Sequence, residues 1–351
     1  MEKIDILSLT LPELEMHIQE IGEKKFRAKQ IFQWLHVKHA DSFDKMSNIS
    51  LSLRTKLDEY FCIKLLNIER KLESSIDNTV KYLYRLSDGM FVETVLMEYN
   101  HGLSLCVSTQ VGCKMGCKFC ASTIAGFERN LLPSEILQQI YRTENDTGKK
   151  ISGIVLMGIG EPLDNYKNVM RFLELVSCPD GYGLSLRHVT LSTCGIVPKI
   201  KQLAEKKLGL TLSVSLHCPD DNGRSEIMPI NRTYNIKELI ESTKDYIEKT
   251  GRRVTYEYAV IDGVNSDRKS AESLAHLIKG INCHVNLIPV NAVKEREYKS
   301  SRESAVRFMG YLTDMGINAT VRRTLGSDIE AACGQLRREA AKQTEKSGEV
   351  N

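Results

Sequence analysis

Residues 187–217 read RHVTLSTCGIVPKIKQLAEKKLGLTLSVSLH. Strand patterns at 187–193 and 211–216 flank a helical stretch at 196–206, so the segment is a strand–helix–strand unit. The unit recurs on both sides. Further strands are predicted at 104–108, 153–157, 253–260, 282–288 and 318–323, with helices at 133–147, 164–177, 236–250, 267–279 and 301–316. This regular alternation predicts an α/β fold whose parallel sheet is covered by helices, arranged as a partial (β/α)6 barrel. In such folds the loops leaving the C-terminal ends of the strands carry the chemistry.

Upstream, the pattern changes. Thr10-Leu11-Pro12-Glu13 is a helix start, and Ala28, Ile31, Phe32 and Leu35 fall on one helical stripe. Alternating runs VKYLYRL (80–86) and MFVETVL (90–96), joined by Ser87-Asp88-Gly89, predict a hairpin. The expected organisation is a small N-terminal helical accessory domain over 1–75, a β-hairpin extension over 76–103, the barrel over 104–336 and a polar, flexible tail over 337–351. The chain has 351 residues, 42% of them apolar and 26% charged, which excludes a fibre or a disordered chain. Its net charge of +3 is too balanced to announce a nucleic-acid binder. No run approaches the ~20 apolar residues of a membrane span, and the N-terminus lacks a secretory pattern, so a cytoplasmic protein is expected.

Ten cysteines are many for a reducing compartment, where disulfides are rare. Three of them, Cys113, Cys117 and Cys120, stand at C-x3-C-x2-C spacing just after the first barrel strand. Thiolates this close can wrap a zinc ion or an iron–sulfur cluster. Structural zinc sites take four ligands, commonly as two separated pairs, and here a single trio has no second pair nearby. Three thiolates on a four-iron cluster would leave one iron open for chemistry. The spacing resembles the signature of the radical S-adenosylmethionine superfamily. Gly158-Ile159-Gly160-Glu161-Pro162 at the next strand end is similar to that superfamily's Gly-Glu segment, which binds the methionine amino group. Ser192, Ser215, His217 and Asn291 end later strands and suit contacts to ribose, carboxylate and adenine; individually, such groups are more often caps.

The resemblance narrows across GEKKFRAKQIFQWLH, FVETV, CVSTQVGCKMGCKFCAST, MGIGEPLDN, LSTCGIVP, SVSLH, NLIPVN and DIEAACGQL, which together span nearly the whole chain. The sequence is identified as a member of the RlmN/Cfr family of RNA methyltransferases, and Pro162 after Glu161 resembles the branch that methylates adenine C2 rather than the Cfr-like branch acting on C8. The resemblance implies that Cys113, Cys117 and Cys120 hold a 4Fe-4S cluster. It places Gly160, Glu161, Ser192, Ser215, Leu216, His217 and Asn291 around S-adenosyl-L-methionine. Cys333 would be the cysteine that is itself methylated, Cys106 its partner in a transient disulfide, and Glu93 the proton acceptor. The resemblance implies two molecules of S-adenosyl-L-methionine per turnover, in keeping with adenine C2–H being a poor nucleophile toward a sulfonium methyl. The implied substrates are adenosine 2503 of 23S rRNA and adenosine 37 of tRNAs, with an electron donor such as flavodoxin, and the enzyme is expected as a monomer. Cys62, Cys178, Cys194, Cys218 and Cys283 match no role and read as core residues.

Lys24, Lys25, Arg27, Lys29 and Lys38 interleave with Phe26, Phe32 and Trp34. Two readings stand: phosphate contact with base stacking, or an amphipathic helix with core aromatics and solvated lysines. The target base must be unstacked in either case. A zinc-stapled RNA-binding protein is the non-enzymatic alternative.

Overall fold

The computed structural model of the chain describes residues 3–290, 298 and 300–329. Cys333, Asn291 and the 337–351 tail, all singled out above, lie outside the described residues.

The N-terminal segment contains β1 (Ile4–Asp5), α1 (Leu11–Glu20), α2 (Phe26–His36), α3 (Leu51–Tyr60) and β2 (Phe61–Cys62), with β1 and β2 paired in parallel. Thr10 caps α1 as its sequence predicts: its hydroxyl accepts from the Glu13 N–H while the Glu13 carboxylate accepts from the Thr10 N–H. The predicted stripe of α2 is fully buried. The accessory helices dock on the barrel through a bidentate pair of Glu13 on α1 with Arg171 at 2.7 Å, a pair of Lys29 on α2 with Asp180 at 2.7 Å, and the buried His36 Nδ1, 2.8 Å from the Tyr141 hydroxyl.

Next come β3 (Asn67–Glu73), β4 (Val80–Arg85), β5 (Phe91–Tyr99) and β6 (Gly102–Cys106), an antiparallel run. β3 corrects the expectation that residues up to 75 are helical. Apart from Ile68 and Leu72 its residues, NIERKLE, are polar, and the strand is largely exposed, so no sustained hydrophobic alternation marked it. An edge strand held by one neighbour needs none. The hairpin is likewise no separate extension, because β4 and β5 continue the central sheet.

The remaining elements are β7 (Gln110–Gly112), β8 (Phe127–Asn130), α4 (Pro133–Thr147), β9 (Gly153–Leu156), α5 (Tyr166–Ser177), β10 (Val189–Thr193), α6 (Val197–Glu205), β11 (Thr211–Ser215), α7 (Asp221–Ile227), α8 (Ile236–Thr250), β12 (Val254–Val260), α9 (Arg268–Ile278), β13 (Cys283–Pro289), α10 (Arg302–Asp314) and β14 (Ala319–Val321). One ten-stranded sheet runs β14-β13-β12-β11-β10-β9-β6-β5-β4-β3, parallel as far as β6 and antiparallel beyond. This is the expected partial barrel, extended on one side. Helix α7 and the β7–β8 pair escaped the sequence reading because each is too short to show a period. β7 also moves the cysteine loop: it hangs from the β7–β8 ribbon rather than directly from the first barrel strand.

Candidate active site

Cys113, Cys117 and Cys120 follow β7. Gly112 and Gly116 take left-handed φ values of 79° and 73°, which tighten the loop. The Cys113 N–H donates to the Gly126 carbonyl, the Thr123 hydroxyl donates to the Cys120 and Cys117 carbonyls, and the Lys118 N–H donates to Ile227 at the end of α7. Lys114, one of the charged residues between the cysteines, pairs with Asp164 at 2.9 Å. Cys113 and Cys117 are buried and Cys120 half-buried. Burial pushes the Cys113 thiol up to about 12, with negative charge at Cys120, Glu161 and Asp164 adding to it; burial raises Cys117 as well. Three thiols in such surroundings become thiolates when a positive centre joins them, so the donor set fits a metal cluster. Among the described residues no three His, Cys, Asp or Glu side chains are arranged to hold a single metal ion. Zinc requires its ligands to converge on one ion at about 2.3 Å from each sulfur, whereas cluster ligands sit on separate irons.

The Gly-Glu segment lies beside this loop. An added Cβ on Gly160 would come 2.5 Å from the Gln110 Cβ, so the space opened by this glycine is filled by Gln110 rather than left for a ligand. Gln110 Oε1 accepts from the Glu161 N–H, and its Nε2 donates to Asn130 and Asp164. Glu161 is buried, its carboxylate accepting from the N–H groups of Leu163 at 3.0 Å and Cys194 at 2.7 Å. Burial raises its pKa, and none of the main influences on it is a cation of the chain. A buried carboxylate in that state is a receptor for an ammonium group.

Ser192 and Ser215 are half-buried at the ends of β10 and β11, and Leu216 is fully buried with its N–H on the Glu257 carbonyl. His217 adopts φ 57°, accepts the Ala259 N–H at Nδ1 and meets the Phe119 ring edge-on at 4.7 Å. With Nδ1 accepting and burial pushing its pKa down to about 3, the ring is neutral and carries its proton on Nε2. Two residues that the sequence reading missed organise these ends. Arg224 on α7 is fully buried and donates to the Cys194, Ser215 and Leu216 carbonyls, drawing β10 and β11 together beneath the cysteine loop. Gln110 is the other. Cys194 and Cys218, read as ordinary core, pack with Cys117 and so form part of the same wall.

A cleft of about 260 Å³ opens here, lined by Cys106, Cys120, Phe119 and His217 with Arg322 and Arg323. Glu161, Ser192 and Ser215 stand at neighbouring strand ends outside that lining. Cys106 is buried, and among the described residues no disulfide is present. Glu93 is buried on β5, 3.0 Å from Lys81 on β4.

Two sequence families match: the ribosomal RNA large subunit methyltransferase N-terminal domain over residues 4–63 and the radical SAM superfamily over residues 107–278. A protein of Lachnoclostridium phytofermentans named "Probable dual-specificity RNA methyltransferase RlmN" is 53% identical over 96% of this chain and 95% of its own length. One from Alkaliphilus oremlandii is 54% identical over 96% and 98%. The chain belongs to the RlmN family. A solved radical SAM methyltransferase from Sphaerobacter thermophilus, 41% identical, superposes with a TM-score of 0.91 over 95% of this chain and 98% of its own. Membership of the radical SAM superfamily implies a 4Fe-4S cluster and S-adenosyl-L-methionine as cofactors. No helix among the described residues is long and apolar enough to cross a membrane.

The RNA-contact question divides within α2. Phe32 is core, whereas Phe26 is 53% exposed beneath the Arg27 guanidinium, and Lys38 lies 3.8 Å over the Trp34 ring. Lys25 and Lys29 are engaged with Glu15 and Asp180. Phe26 with Arg27 and Trp34 with Lys38 present a ring-and-cation pair at each end of the helix.

Proposed function

We propose that this chain methylates C2 of adenine in RNA, at adenosine 2503 of 23S rRNA and adenosine 37 of tRNAs, as a cytoplasmic radical S-adenosyl-L-methionine enzyme using two cofactor molecules per turnover. The observation that carries the reading is that Cys106, Cys120 and His217 line one cleft. When bound, the cluster and S-adenosyl-L-methionine supply a methyl group and a hydrogen-abstracting radical. Cys113, Cys117 and Cys120 would hold the cluster; Glu161 would take the ammonium of methionine, with Gly160, Ser192, Ser215, Leu216 and Asn291 beside it. His217 offers an Nε2–H donor to the cofactor or base. Cys333 carries the methyl as a thioether, a task suited to a soft sulfur nucleophile. Glu93 accepts the proton that adenine C2 must lose. Cys106 then attacks the Cys333 sulfur and breaks the bond from that sulfur to the transferred carbon, which takes up a proton and leaves as the methyl group of the base while the two sulfurs remain as a disulfide. Phe26, Arg27, Trp34 and Lys38 would contact RNA by stacking and phosphate pairing.

The test is anaerobic turnover on defined rRNA and tRNA fragments with a low-potential reductant such as flavodoxin, followed by nucleoside mass spectrometry. 2-Methyladenosine supports the reading, and 8-methyladenosine replaces it with the Cfr-like one. Cys106→Ala is expected to leave a covalent protein–RNA adduct on a denaturing gel. A freely cycling Cys106→Ala enzyme would refute the disulfide step.

A further inference from the structure

The register of three adjacent strands places Lys81, Glu93 and Cys106 around one residue. Val95 on β5 is paired with Lys81 on β4 and with Cys106 on β6, and Glu93 is two positions along β5 on the same face. Side chains at directly opposed and diagonal positions of antiparallel strands are within reach of one another. That face is the one turned to the cleft, since Val95 and Cys106 line it. The opposite face packs on α4, where the Thr94 hydroxyl donates to Gln139. Lys81 and Glu93 are each 1% exposed, with 3.0 Å between Nζ and Oε2. The Glu93 strand is fixed here as well: its carbonyl accepts from the Ser108 hydroxyl at 2.6 Å.

We propose that Lys81 is a positioning residue for the reaction: its ammonium supplies the counter-charge to Glu93 and orients that carboxylate along the cleft face, where the proton leaving adenine C2 must be collected. The inference rests on the reading of Glu93 as proton acceptor. Stability alone is a poor reason for the pair, because a buried ion pair generally contributes no more than well-packed apolar residues of the same volume. A buried carboxylate without a counter-charge, on the other hand, takes up a proton and can no longer act as a base. A lysine brought from the neighbouring strand, on the cleft side, answers that need without occupying the space of the substrate.

The experiment uses the reconstituted full-length enzyme. Lys81→Met, Lys81→Gln, Lys81→Arg and Glu93→Gln are compared for cluster content, for Cys333 S-methylation by mass spectrometry, for protein–RNA adduct on denaturing gels and for turnover. Loss of a general base costs typically 10²–10⁴-fold, and Lys81→Met or Lys81→Gln is expected to lower turnover by about a hundredfold while S-methylation proceeds and adduct accumulates. Lys81→Arg keeps the charge and is expected to recover at least about a tenth of wild-type turnover. A merely structural lysine would instead reduce cluster content and S-methylation together, with no adduct, and that outcome overturns the proposal. So does turnover within about threefold of wild type in either neutral variant that folds. Adduct with Glu93→Gln but none with the neutral Lys81 variants rejects the role of Lys81 alone. No adduct with Glu93→Gln rejects Glu93 as the acceptor, and Lys81 with it.

Discussion

Gly160 holds φ at 104°, with the Gln110 Cβ 2.5 Å and the Gln110 backbone nitrogen 2.8 Å from where a side chain would begin. Gly160→Ala must strain that dihedral and push back a backbone atom, each costing about 1–3 kcal/mol. The displaced Gln110 would also release the Glu161 N–H and its ties to Asn130 and Asp164. The variant is therefore expected to lose on the order of 3 kcal/mol in urea unfolding and to retain less iron through gel filtration. Equal stability and iron content would show that the segment can relax around the methyl group. Single residues of this kind were only half legible. The glycine itself stood out in the sequence, as did Glu161 beside it. What approaches the glycine did not, because Gln110 precedes it by fifty positions with no motif linking them. Arg224 was hidden for a related reason: a lone arginine in a polar turn carries no period, and its value comes from the carbonyls of Cys194, Ser215 and Leu216 that folding gathers around it.

At the level of elements, the barrel's alternation was readable because each parallel strand is apolar and each covering helix is amphipathic, so the two periods are distinct in the chain. One edge of the sheet was not readable, since β3 is held by a single neighbour and needs little hydrophobic patterning, whereas β14 at the other edge falls within the strand predicted at 318–323. These two edges are joined by side chains. The Asp328 carboxylate, beyond β14, accepts from the Ser74 hydroxyl at 2.7 Å and from the Ser75 N–H at 2.7 Å, just after β3. In return, Asp77 accepts from the Gly326 N–H at 2.9 Å. Against burial, hydrogen bonds from Thr79 and then Gly326 hold Asp77 below its ordinary pKa, and those from Ser74 and Ser75 do the same for Asp328, so the clasp remains charged down to mildly acidic pH. Arg322 and Arg323, which line the cleft, lie in the segment it secures. Asp77→Ala/Asp328→Ala is expected to speed tryptic cleavage after these two arginines several-fold while cleavage elsewhere is unchanged. Identical digestion kinetics in the two proteins would show that pairing of β13 with β14 suffices to hold the segment.

The accessory helices and the barrel form one molecule through a seam of buried histidines, and that seam makes stability depend on pH. His36 is fully buried, with its pKa pushed down to about 3 by burial and by His39 nearby; His39, stacked on Tyr141 at 4.1 Å, is pushed down to about 4 by burial and by Lys150. Both rings must be neutral in the folded chain, whereas in the unfolded chain each takes up a proton near 6.5. Below 6.5 the unfolded state therefore binds more protons, and stability falls with falling pH until the folded values are reached. Above about pH 7 the contribution is present in full. For a single group shifted from 6.5 to about 4, the loss between pH 7 and pH 5 is about 2 kcal/mol. His39→Asn keeps a residue that tolerates the left-handed φ of 51° and removes one of the two protonation sites. It is expected to be less stable than wild type at pH 7, because the stack on Tyr141 is lost, yet to lose about 2 kcal/mol less between pH 7 and pH 5 in anaerobic urea titrations. The difference in slope, rather than in absolute stability, tests the argument, because buried carboxylates such as Glu161 and Glu257, whose pKa values are raised, contribute equally to both proteins with the opposite sign. Parallel pH profiles would mean that His39 gains its proton while the chain remains folded, with Glu144 at 3.6 Å from its Nδ1 serving as counter-charge, and that acid does not open the seam at this residue.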